Sequence, residues 1–407
     1  EGEGEGGFEK AQSALERDEN PAVPKSDKDA LAAGNLSLAL DLYKNLASEN
    51  DENLFISPTS LSIALAMLYA GAAGNTATEM ESALNFDLPA TQLHKAFNWL
   101  DLELNSRGED AQGADGQPFR LNVVNATWGQ KGYEFLQSFL DTLAVNYGAG
   151  MWLLDFASQP EESRQTINGW VEEQTEEKIT NLLPEGSITS DTRLVLTNAV
   201  YFNAAWASQF NESATADGDF TLSDGTLITV PTMQQTEQFN YYEGTNFEAV
   251  ELLYDGYELS MTIVAPYMGQ FGSFEEDLNT ASLETIINNM TSKNMILKMP
   301  RFEFKGSYNL VETLRNLGMN DAFTAGVADF SGVDGTQGLS ISGVVQKTFV
   351  GVNEKGTEAA AATGVMAGVT SVPPPPIDVF INRPFIFMIR DIQTKTIVFM
   401  GRVVDPS

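Results

Sequence analysis

An α+β architecture, with mixed α/β content segregated along one chain, follows from three features of the 407-residue sequence. Helical spacing of apolar residues dominates the first third, β-branched and aromatic runs dominate the second half, and no internal repeat breaks that order. The length suffices for one large domain or two ordinary ones. No linker-like composition occurs after about residue 30, which favours one.

Residues 1–29 are charged and poor in apolar side chains, and they contain NPAVP. A flexible acidic tail is expected there, opened by the Gly/Glu tether EGEGEGG, with a single domain over 30–407. The first helix is expected to be capped by Asn35 and to carry Leu36, Leu40, Tyr43 and Leu46 or Ala47 at helical spacing. NLFISPTSLSIALAMLYAGAAG then passes from a short strand into a helix. Ser57 suits its N-cap, Pro58 its first residue, and Gly71 and Gly74 its end. TATE, from Thr76 to Glu79, reads as the capping box of another helix.

Further on, RLNVVNATWGQ (120–130) and TRLVLTNAVYFNAAW (192–206) have the composition of buried central strands. Between them, SRQTINGWVEEQTEEKITNLL (163–183) sets Ile167, Trp170, Val171 and Ile179 on one helical face. The stretch 215–305 is mostly strand-like, a helix is expected at 308–317, and GLSISGVVQKTFVGVNEKG is a further strand. PFIFMIRDIQTKTIVFMGRVV reads as a hairpin turning near Gln393–Lys395.

Composition narrows the function. There are 23 Lys and Arg against 56 Asp and Glu, a net charge of -33. Such a field repels phosphate backbones and anionic lipid, so neither nucleic acid nor a membrane surface is an expected partner. Cysteine is absent, which removes disulfides, thiolate catalysis and cysteine metal sites together. The single histidine, His94, lies on a helical pattern in TQLHKAFNWL and reads as a packing residue. No metal site, cofactor or Ser-His catalytic pair is expected, and hence no enzyme. The longest apolar stretch, 61–74, is too short to span a bilayer.

The least ordinary segment is GTEAAAATGVMAGVTSVPPPP (356–376). A segment able to become a central strand needs alternation suited to two faces, no proline, and little bulk or charge on the buried face. Thr357, Ala359, Ala361, Thr363, Val365 and Ala367 form one alternating set, with nothing charged and nothing larger than valine. The one charge, Glu358, falls in the other set with Ala360, Ala362 and Gly364, and proline first occurs at 373. A surface helix, favoured by the alanines, and a plain linker are the competing readings of the residues alone.

In order along the chain, NLFISPTSLSIALAMLYAGA, INGWVEEQTEEKITNLL, LTNAVYFNAAW, MPRFEF, VNEKGTEAAAATGV and FINRPFIFMIRD resemble the serpins, serine protease inhibitors, from about residue 30 to 405. The likeness is to the inhibitory type, of prokaryotic kind. It implies about nine helices around three β-sheets, with an exposed reactive-centre loop at about 354–378. By its register the hinge covers Glu354, Gly356, Thr357, Glu358, Ala359, Ala360, Ala361, Ala362 and Thr363, and the reactive bond is Thr370–Ser371. Cleavage near Met366 or Val369 is the alternative, because the PPPP side of the loop is longer than the family pattern.

The resemblance further implies a suicide-substrate trap. A serine protease is acylated at Thr370, and the cut loop inserts as a new strand before deacylation. A strand of about 14–16 residues spans roughly 45–50 Å. At about 1 kcal/mol per net ladder bond, its insertion releases on the order of 10–15 kcal/mol. Ser57, Ser60, Asn198 and Gln346 match the family's shutter, with glutamine where a histidine is common. Trp206, Arg301 and Glu354 match its breach.

No Lys or Arg falls between Thr357 and Asn382 and no aromatic before Phe380. Elastase-like or subtilisin-like proteases are therefore the expected partners, met by a monomer outside the cell or at its surface. HKAFNWLDLELNSR, where some relatives gather basic residues, holds only Lys95 and Arg107 besides His94, so no heparin activation is expected. A non-inhibitory carrier or chaperone-like serpin is the alternative.

Overall fold

Strands from both halves of the chain build two broad sheets, and helices drawn mostly from the first half cover them. The computed structural model describes residues 2–3, 9–357 and 375–407. Among these, the helices are α1 (Lys25–Ala47), α2 (Pro58–Tyr69), α3 (Gly74–Ala83), α4 (Ala90–Asn105) and α5 (Gln137–Tyr147). They continue as α6 (Pro160–Gln174), α7 (Phe271–Asp277), α8 (Thr280–Asn289), α9 (Val311–Asn316) and α10 (Ser331–Asp334).

The first strands are β1 (Gly2–Glu3), β2 (Glu9–Ala11), β3 (Leu54–Ile56), β4 (Arg120–Gln130), β5 (Met151–Leu154) and β6 (Leu194–Ala205). Next come β7 (Ala216–Thr221), β8 (Leu227–Glu243), β9 (Phe247–Leu253), β10 (Leu259–Pro266), β11 (Thr291–Pro300) and β12 (Phe302–Asn309). The last are β13 (Ile341–Val352), β14 (Gly356–Thr357), β15 (Ile377–Phe380), β16 (Phe385–Asp391) and β17 (Ile397–Val403).

One sheet runs β1-β2-β5-β4-β6-β14-β13-β12, and the other runs β15-β11-β8-β9-β10-β16-β17-β3 with β7 attached to β8. Where three sheets are implied, the second and third are joined here by the 17-residue β8. Its start pairs with β7, its middle with β11 and its end with β9, so the ladder is continuous. Helix α2 packs between β17 of one sheet and β4 and β6 of the other, and every one of its residues is buried. Its buried hydroxyls are therefore all spoken for: Thr59 Oγ1 donates to the Ile397 carbonyl at 2.7 Å, and Ser62 Oγ to Asn35 Oδ1 at 2.9 Å.

β4 falls where the pattern placed it, and β6 within two residues. Several local expectations fail, each for a physical reason. Over its described part, the tail expected to be flexible is structured: β2 pairs antiparallel with β5, and Arg17 bonds Asn98 and Asp101 of α4. Asn35 is not a cap but a buried interior residue of α1, which starts at Lys25; only Leu31 and Gly34 are buried before it, too sparse a signal to show periodicity. Thr76 forms no capping box, because its hydroxyl accepts the Asp329 N–H at 2.9 Å. α6 stops at Gln174, where Glu176 and Glu177 take positive φ, yet Ile179 and Leu182 stay in the same apolar cluster as Val171. The helix expected at 308–317 begins only at Val311, since Tyr308 and Asn309 finish β12.

Candidate functional site

β6 and β13 run parallel and pair directly from Leu194–Ile341 up to Val200–Thr348. Above that point they part, and the fork is filled by β14. The chain leaves β13 at Val352, turns through Asn353, Glu354 and Lys355, and comes back down as Gly356–Thr357. Lys355 N–H donates to Asn353 Oδ1 and Asn353 N–H to the Gly356 carbonyl, both at 3.0 Å, closing the turn with an Asn side chain. Thr357 then stands opposite Ala204 on β6 and Val352 on β13, antiparallel to both. Gly356 opposite Ala205 leaves no room for a side chain: a Cβ there would lie 2.0 Å from the Ala204 carbonyl oxygen.

The turn is held by the segment that follows β6. Trp206 N–H donates to the Lys355 carbonyl at 2.7 Å, its indole Nε1 to the Asn353 carbonyl at 2.8 Å, and Phe210 N–H to the Glu354 carbonyl at 2.7 Å. The Trp206 ring stacks on Tyr254 with centroids 4.7 Å apart. Glu354 is 2% exposed and accepts from Arg301 Nε at 2.8 Å and from the Thr215 hydroxyl. Burial pushes its carboxyl up in pKa, but the Arg301 and Thr215 bonds outweigh this and hold it below the ordinary glutamate value. Lys355 pairs with Glu212 at 3.0 Å.

Lower in the sheet, a polar row crosses the strands. Asn125 of β4, Asn198 of β6 and Gln346 of β13 stand directly opposite one another in the ladder, above the start of α2. Gln346 Oε1 accepts the Ser57 N–H at 3.0 Å, and its Nε2 donates to the Ser57 carbonyl at 2.9 Å and to Asn198 Oδ1 at 2.5 Å. Asn198 Nδ2 bonds both Ser60 and Asn125. Ser57 occupies the N-cap position of α2, yet its hydroxyl does no capping; it donates to the Val398 carbonyl at 2.8 Å and so ties the helix to β17. No member of this row titrates near neutral pH.

Structure thus brings together Ser57, Ser60, Asn198 and Gln346 in one group and Trp206, Arg301, Glu354, Gly356 and Thr357 in another. The expectations for Glu358, Ala359, Ala360, Ala361, Ala362, Thr363, Met366, Val369, Thr370 and Ser371 lie outside the described residues. Sequence reasoning missed Asn125, Tyr254, Thr215 and Asn353. Asn125 alone left a signal, as an asparagine inside an otherwise strand-like apolar run. His94 is remote from both groups in sequence and role: it is buried in α4 with Nδ1 2.7 Å from the Tyr147 hydroxyl.

β14 thus lies as a two-residue wedge between β6 and β13, and comparison with known proteins gives the class. The family model for serpins (serine protease inhibitors) matches residues 33–406, and the chain belongs to that family. It is 41% identical over 373 residues to an uncharacterized serpin-like protein of Thermococcus kodakarensis, covering 91% of this chain and 84% of that one. A leukocyte elastase inhibitor of Xenopus laevis is 38% identical over 374 residues, covering 90% of this chain and 97% of its own length. Among solved structures, the thermophilic serpin tengpin in its native state superposes with a TM-score of 0.84 at 28% identity, covering 97% of this chain and all of that one. No helix among the described residues is long and apolar enough to cross a membrane.

Proposed function

We propose that this serpin inhibits serine proteases by trapping them, with Thr370–Ser371 as the reactive bond and elastase-like or subtilisin-like enzymes as targets. The observation that carries the reading is β14: the loop's first two residues after the turn already form a strand between β6 and β13. Continuing that strand replaces the parallel β6–β13 ladder with two antiparallel ladders, a gain in bonds and in bond geometry. Apart from Glu358 and Met366 the residues that would follow Thr357 are small, and none as far as Val372 is proline, which suits the same path. An elastase inhibitor among the relatives is consistent with the stretch 358–379, which lacks Lys, Arg and aromatics.

Hinge composition favours the trap over a carrier role. On this reading the protein works as a monomer outside the cell or at its surface, without heparin. The test is incubation with purified pancreatic elastase, subtilisin and trypsin. SDS-resistant complexes with elastase or subtilisin, and mass-spectrometric cleavage at Thr370–Ser371, are expected. Complexes with trypsin alone would overturn the target class. Clean cleavage without any complex, and no rise in melting temperature afterwards, would point to a non-inhibitory carrier.

A further inference from the structure

Beside the fork lies a cavity of about 430 Å³, within the size range of small-molecule sites, roughly 300–1,000 Å³. Trp206 and Ser208 form one wall, β8 and β9 supply Glu237, Asn240 and Glu251, and Tyr257 stands at its edge. The lining holds two carboxylates and several amide and hydroxyl groups, but no Lys, Arg or His. The two carboxylates are not equivalent. Glu251 is buried and neutralised by Arg390, and it also accepts from Ser260 at 2.7 Å and Asn240 at 2.8 Å. Glu237 is exposed to the cavity mouth and forms no ion pair among the described residues. Its Oε2 accepts only a long 3.5 Å bond from Ser208, and its Oε1 a backbone N–H at 3.0 Å.

One further observation singles this place out. Tyr257 is 64% exposed and holds a φ of 60°, a conformation uncommon for a bulky residue and concentrated at ligand sites.

We propose that the cavity is a binding site for a small organic cation, an ammonium or guanidinium on a short carbon chain. Glu237 supplies the charge partner, with spare acceptor capacity on Oε2. The Tyr257 ring offers a face over which a cation or its methylene chain can rest. The chain's net charge of -33 deepens the attraction at an unpaired carboxylate.

The measurement is isothermal titration of the intact protein with agmatine in about 0.1 M salt, which screens diffuse surface attraction. One saturable site is expected. Glu237→Gln should weaken it by at least about tenfold, the worth of one charge-assisted bond, while leaving the melting temperature of the unliganded protein unchanged. Tyr257→Ala should weaken it to a lesser degree, and the neutral probe butylurea should not compete. Binding that never saturates, or that survives Glu237→Gln, would mean that the acidic surface merely collects cations and would overturn the site. Equal affinity for butylurea, or binding of basic peptides but not agmatine, would overturn the ligand class. Protease inhibition plays no part in this measurement, so it stands or falls separately from the trapping reading.

Discussion

The Thr357 hydroxyl lies 2.7 Å from the phenol oxygen of Tyr254, whose ring stacks on Trp206. One aromatic pair therefore seats Thr357, the second residue of β14, and, through the Trp206 indole, also holds the Asn353 carbonyl of the turn before it. Thr357 is 1% exposed. A long cation there has neither room nor a partner, so Thr357→Arg should keep the first encounter with a protease but lose the trap. More inhibitor should be consumed per enzyme, with intact active protease recovered. Tyr254→Phe removes only the hydroxyl bond and should cost about 1 kcal/mol of native stability. Undiminished SDS-resistant complex with Thr357→Arg would show that the hinge seat is not needed.

The Glu354–Arg301 pair closes the same corner from the other side. Arg301 is partly exposed while Glu354 is buried, so the pair is unequal: losing the arginine leaves a buried carboxylate with only Thr215. Arg301→Glu should open the top of the sheet and yield polymers on mild heating, visible by size-exclusion chromatography. Acid should act in the same direction. Because the folded Glu354 carboxyl titrates below the ordinary value of 4.5, its contribution is complete above that pH and disappears as pH falls through the lowered value. An unchanged elution profile for the heated Arg301→Glu variant would count against this role.

Both groups of the site were marked in the sequence through the family resemblance of its ordered motifs: Trp206, Arg301 and Glu354 meet, as do Ser57, Ser60, Asn198 and Gln346. What stayed hidden was reached through space. Tyr254 sits at the end of an ordinary strand-like run, and Thr215 precedes β7; nothing local marks either as a partner of residues more than a hundred positions away. Local signals also misled where tertiary bonds won. Ser57, Asn35 and Thr76 all look like caps, yet each hydroxyl or amide is recruited by a distant carbonyl, hydroxyl or N–H. The end of α6 shows the converse: apolar spacing persists through Ile179 and Leu182 because the sheet still needs covering, although the backbone has left the helix.

Gln346 and Asn198 stand opposite each other at the seam that any new strand must part. Their row contains no titrating group, so opening of the seam should be insensitive to pH between about 6 and 8. Gln346→His would place an imidazole there, with an ordinary value of about 6.5. Protonation would then put a charge into a buried site, and the unfolding midpoint should drop more steeply below that pH in the variant than in the parent, whose own decline there comes from His94. Asn198→Ala leaves Ser60, Asn125 and Gln346 short of partners and should cost about 1–3 kcal/mol for each group left unpaired. A parent protein with a strong unfolding transition near pH 6.5 would contradict the assignment.

His94, the chain's only histidine, gives a cleaner pH experiment elsewhere in the fold. It is 5% exposed, and burial lowers its value from 6.5 to about 4, while its Nδ1 stays 2.7 Å from the Tyr147 hydroxyl. Above pH 6.5 the imidazole is neutral in folded and unfolded chains alike, and the native state keeps this contribution in full. As pH falls from 6.5 towards 4 the unfolded chain takes the proton first, so stability declines, by about 3 kcal/mol over the whole interval. His94→Gln retains a hydrogen-bonding group for Tyr147 but cannot titrate. Its unfolding free energy, measured by denaturant titration at several pH values, should fall less steeply through that interval, by up to one proton. Carboxylates protonate in both proteins, so the difference belongs to His94. Parallel curves for parent and variant would show that the imidazole takes its proton equally readily in the folded and unfolded chains and is not held in its neutral form by burial.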